Sequence, residues 1–230
     1  MPEDDFWRTG ERANRLFFTN ADGGEESDPD EAIYEALDGE WVRLEPEAAE
    51  LLGDESAGPY ERYLALCALA CWASPTGYEA VCRAAANPNA QPSMSMDRFY
   101  SLDNTFAVIA KTVLNSERIA KERCTSSERL TALAALIGIV DQVYFEQKLS
   151  RYYLFEEDIE QLRRPIEAKL ESYLGELLAA QAPLLRFVHD QIDVLINALE
   201  TVDKDAADAY TARLNNIRGV KLASTSEGTT

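Results

Sequence analysis

Apolar residues recur along most of this chain at intervals of three and four, the period of a helix with one face turned to a core. The clearest case is residues 184–199. There Leu184, Leu185, Val188, Ile192, Leu195, Ile196 and Leu199 form one stripe, while Phe187, Val194 and Ala198 add a second apolar patch. Arg186, Asp190, Asp193, Asn197 and Glu200 fill the remaining face, and His189 lies at its border, one turn before Asp193. The spacing of His189 and Asp193 predicts a local contact of the kind made by side chains four apart on a helix.

The same period predicts a short N-terminal helix in "DDFWRTGERANRLFF", with Phe6, Ala13 and Phe17 on one face. "TNADGGEESDPD" is rich in Gly, Asp, Ser and Pro and predicts a loop. Short helices follow in "DEAIYEALDG", ending at Gly39, and in "PEAAELLGD", with Pro46 at its first position and Gly53 as its stop. From Pro59 the helical segments lengthen. They are "PYERYLALCALACWA", "PTGYEAVCRAAAN", "DRFYSLDNTFAVIAKTVLN" with "SERIAKERC", and "TSSERLTALAALIGIVDQVYFEQKLS", the last opened by a capping box of Thr125 and Glu128. "EEDIEQLRRPIEAKLESYLGELLAAQ" is expected to bend or divide at Pro165, and "DKDAADAYTARLNNIRG" to stop at Gly219. Strand-like alternation is confined to "EWVRLE".

These patterns predict an all-α protein. The expected organisation is a short acidic, partly irregular N-terminal module over 1–58, a helical bundle over 59–219 and a mobile tail over 220–230.

Composition narrows the class. A chain of 230 residues, 46% hydrophobic and 27% charged, is that of a soluble globular protein. Its longest apolar run, "LTALAALIGIV", is too short for a bilayer, and the acidic "MPEDDFWRTGER" is unlike a secretory leader. A soluble, cytoplasmic protein is expected, with no membrane partner. The four cysteines, Cys67, Cys71, Cys82 and Cys124, lie in or beside apolar helical runs. A zinc or iron–sulfur site needs a second close pair or histidine partners, and there is a single histidine. They read as small buried hydrophobes in a reducing compartment.

Charge changes the picture most. The net charge is −19, and residues 20–55 alone hold 14 Asp and Glu against one basic residue, Arg43. Residues 61–230 are far nearer balance, with 23 acids and 18 basic residues. Acidity concentrated in this way repels nucleic acid and anionic membranes and suits a basic protein partner. The leading functional expectation is therefore a non-catalytic interaction module, either an inhibitor or immunity-type protein or an adaptor subunit. Its partner-binding candidates are Glu25, Glu26, Asp28, Asp30, Glu31 and Glu35. Tyr152 and Tyr153 join them from the aromatic cluster "VYFEQKLSRYYLFEED", which otherwise closes an end of the bundle. No cofactor belongs to this reading.

The His189-Asp190 dipeptide resembles a fragment of a metal phosphohydrolase signature, but the further histidine ligands are absent from the sequence. No Gly-x-Ser-x-Gly turn supports a serine hydrolase. "EEDIE" and "ETVD" resemble the carboxylate motifs of all-α nucleotide pyrophosphohydrolases. That resemblance implies Mg²⁺ held by Glu157, Glu160, Glu200 and Asp203. Against it, Glu156 and Glu157 suit a helix start, Glu160 can pair with Arg163 or Arg164, and Asp203 suits the N-cap of the next helix. Asp141 falls among Leu130, Ala134, Ile137 and Tyr144 on the most apolar helix. It reads as a buried polar pin to a tyrosine or arginine, with a raised pKa as the alternative signature of a site.

Overall fold

The computed structural model describes residues 7–19, 23–26, 28–95, 102–179 and 186–226. The protein is all-α, about 71% helical, with 11 helices and no strand among the described residues. It divides into two compact units, Met1–Leu136 and Ile137–Thr230.

The first unit contains α1 (Glu11–Phe17), α2 (Pro29–Glu35), α3 (Trp41–Gly53), α4 (Pro59–Cys71), α5 (Pro75–Ala86), α6 (Thr105–Asn115), α7 (Glu117–Glu122) and all but the last two residues of α8 (Ser126–Gly138). A short 3₁₀ turn, Ala36–Asp38, extends α2 to Gly39, which takes the left-handed φ of +130° expected of a glycine stop. Helix α4 is the axis of the unit. Every residue from Leu64 to Ala73 is buried, and α2, α3, α5 and α6 all pack against it. An all-round apolar helix has no solvent face, so it must be surrounded.

Two tight corners stabilise this arrangement. After α4, Ala73 takes a left-handed φ of 56° and Ser74 N donates to Leu69 O at 2.9 Å. After α7, Cys124 takes φ 59° and Thr125 N donates to Ala120 O at 2.9 Å. Both are Schellman closures built without glycine. The corners meet, since Thr125 Oγ1 donates to Ala73 O at 3.1 Å. Buried Arg129 closes α6 by donating from Nε to Val113 O at 3.0 Å.

The second unit is a three-helix packing of α9 (Glu156–Leu178), α10 (Arg186–Leu199) and α11 (Lys204–Ser226), in which each helix touches the other two. The stripe read from the sequence is its seam: Val188, Ile192, Leu195, Ile196 and Leu199 are buried. Leu184 and Leu185 lie outside the described residues.

Several boundaries differ from expectation. Helix α3 starts at Trp41, so Pro46 lies inside it. Proline has no N–H for the carbonyl four residues earlier, here that of Val42, which is exposed. Pro165 likewise sits within an unbroken α9, one turn after the exposed residue Gln161. The segment after Thr125 does not remain helical to Ser150. It leaves the helix at Gly138 and turns through 139–155, where Glu146 has a φ of 53°. The α-helix α11 passes through Gly219 and reaches Ser226, replacing most of the expected tail, because Val220 to Ala223 are residues that tolerate a helix. Thr125 and Glu128 do not meet as a capping box. The Thr125 hydroxyl serves Ala73 O, and the Glu128 carboxylate accepts from Ser127 Oγ at 2.7 Å.

Residues 29–53 pack on α4 within the first unit.

Candidate functional site

Acidic residues between 20 and 55 are put to two different uses. From Glu40 onward most are committed to the fold. Glu45 pairs with Arg123, Glu47 with Arg12 and Arg15, Glu50 with Arg12, and Glu40 with Arg43. The Asp54 carboxylate accepts from both Ser56 N and Ser56 Oγ, which holds it below its ordinary pKa.

Around α2 the pattern reverses. Its apolar face buries Ala32, Ile33 and Ala36, and Trp72 Nε1 on the central helix's far end donates to Ile33 O at 3.0 Å. Tyr34 Oη accepts from Asn115 Nδ2 at 2.7 Å, and burial pushes its hydroxyl pKa up. These bonds fix the helix in register. Asp28, Glu31 and Glu35 of the helix and its cap, Glu25 ahead of it and Asp38 in the turn after it are all exposed. No ion pair engages Glu31, Glu35 or Asp38 among the described residues.

The other predicted acids have structural duties. Asp28 is the N-cap of α2 and accepts from Asp30 N at 2.9 Å. Glu26 Oε1 accepts from Asp28 N at 3.0 Å. Asp30 is half-buried and meets Lys111 Nζ at 3.1 Å, with that ammonium 5.1 Å from the Tyr34 ring centre. The exposed ridge is therefore narrower than the run of acids in the sequence, and it includes Asp38 from the 3₁₀ turn after α2.

The aromatic segment is in the second unit. Phe145 is buried, but Tyr152, Tyr153 and Phe155 are 76%, 45% and 54% exposed. This corrects the expectation that the cluster closes the bundle as core. The turns over 139–155 are instead anchored by Gln191, whose Oε1 accepts from Phe145 N at 2.5 Å and whose Nε2 donates to Val140 O at 2.6 Å and Val143 O at 2.9 Å. With the backbone satisfied in this way, the tyrosines are left outward. Arg151 lies over the Tyr152 ring at 5.4 Å, and Lys148 over the Tyr153 ring at 4.8 Å.

The carboxylates of the magnesium reading do not converge. Glu157 and Glu160 are exposed on α9, and Glu200 lies 3.8 Å from Arg151 and 3.7 Å from Lys204. Asp203 caps α11 by accepting from Ala206 N at 2.9 Å, and its other oxygen takes Arg163. Arg163 also bonds Glu167 at 3.0 Å. Among the described residues, no group of three or more His, Cys, Asp or Glu could hold a metal ion.

Asp141 sits in the turn after α8, where its side chain is 8% exposed and its Oδ1 lies 2.5 Å from Lys169 Nζ. A lysine, not a tyrosine or arginine, is its partner. His189 Nδ1 lies 2.9 Å from Tyr173 Oη, with the two rings edge to face. All four cysteines are free. Cys67 and Cys71 are buried as expected, but Cys82 is half-buried and Cys124 exposed, because Cys124 occupies the left-handed corner after α7.

No helix among the described residues is long and apolar enough to cross a membrane. Comparison with protein-family models, with curated proteins and with solved structures finds no match.

Proposed function

We propose that this chain is a non-catalytic, cytoplasmic binding protein that docks a basic protein partner on the acidic ridge of α2, as an inhibitor or as an adaptor subunit. One observation carries the reading. Helix α2 is clamped by Trp72 and Asn115 while Glu31, Glu35 and Asp38 face solvent with no basic side chain paired to them, although the neighbouring acids are paired. A rigid, one-signed ridge costs a partner little ordering entropy and attracts it at long range. The exposed tyrosines Tyr152 and Tyr153 of the second unit are aromatic anchors of the type enriched at interfaces.

The test uses the tagged full chain as bait in an extract of its source cells, at low and at high salt. A basic protein captured at low salt, released at high salt and lost with the triple variant Glu31→Gln, Glu35→Gln, Asp38→Asn is the expected result. Retention of the same partner by that variant, with unchanged salt dependence, would remove the ridge from the interface. Charge-neutral changes are preferable to deleting 20–55, because that deletion would strip packing from α4.

A further inference from the structure

We draw no further inference here: the strongest candidate, the exposed aromatic patch of Tyr152, Tyr153 and Phe155 on the turn ahead of α9, already lends its tyrosines to the proposed interface, and nothing in the structure shows what covers it.

Discussion

Arg123 grips Glu45 with two hydrogen bonds of 2.9 Å, one to each carboxylate oxygen. The same guanidinium donates to Trp72 O at 2.9 Å and lies 4.6 Å from the Trp41 ring. One side chain thus ties α3 to both corners of the first unit, and it does so when only about a fifth exposed. Arg123→Met should therefore cost about 2–3 kcal/mol of unfolding free energy in urea, the range for charge-assisted bonds in a partly buried setting. Breaking the exposed Glu40–Arg43 pair with Glu40→Gln should cost less than about 1 kcal/mol. Equal losses would mean that Arg123 is no more than a surface contact.

Lys169 and Asp141 form a buried pair of the opposite kind, an ion pair with few other partners. Removing one charge strands the other, so Lys169→Met should destabilise the protein by about 3–5 kcal/mol. Removing both with Asp141→Leu and Lys169→Met should recover most of that loss, since two desolvated charges are exchanged for apolar contact. Urea unfolding of the two singles and the double decides the matter. A double variant as unstable as the sum of the singles would show that the charges do not depend on each other.

How much of this was legible beforehand follows from the range of the interactions. The seam of α10 and the apolar continuity of α4 are periodic, local features, and the sequence displays them directly. The end of α8 at Gly138 is not local. The turns that replace the helix are satisfied by Gln191, about fifty residues later, and no pattern in "IGIVDQVYF" announces that amide. The burial of Asp141 is legible from its apolar surroundings, but its place in a turn depends on the same distant amide. The acidity of 20–55 was visible as a number, but its division into paired and unpaired acids depends on Arg12, Arg15, Lys111 and Arg123, which arrive from other helices.

Gly77 sets how closely α5 approaches α4. A Cβ built on it would stand 2.4 Å from Leu69 C and 2.5 Å from Ala70 N, and backbone atoms of a buried helix cannot swing aside. Helix propensity alone favours alanine there by about 1 kcal/mol. The steric cost should outweigh it, so Gly77→Ala is expected to destabilise by a net of about 1–3 kcal/mol, as overpacking does. Gly175→Ala, with nothing within 4 Å of its Cβ, should leave stability equal or higher. Thermal unfolding of both variants tests the contrast, and a Gly77→Ala protein that melts no lower than the parent would refute the close approach.

The buried tyrosines and cysteines on and around α4 also predict a loss of stability in alkali. Burial, partly offset by the bond to Ser116, holds the Tyr78 hydroxyl at about 12 instead of 10, and burial with the nearby Asp30 charge holds the Cys71 thiol at about 12 instead of 9. Tyr34, Tyr63 and Cys67 are pushed up as well, burial being the largest cause in each. Folded-state values above the unfolded ones mean that, in between, the unfolded chain has released protons that the native one still holds. Their contribution to stability is whole below about pH 9 and is lost as the pH rises toward 12, by at most about 1.4 kcal/mol per pH unit for each group. Urea midpoints should therefore be level with respect to these groups up to about pH 9 and fall steeply beyond it. Over the same range, tyrosinate absorbance of the folded protein should lag behind that of the urea-unfolded chain, and Cys67 and Cys71 should resist alkylation that modifies exposed Cys124. Coincident tyrosinate curves for folded and unfolded protein, or alkylation of Cys71 as fast as Cys124, would contradict the burial of α4.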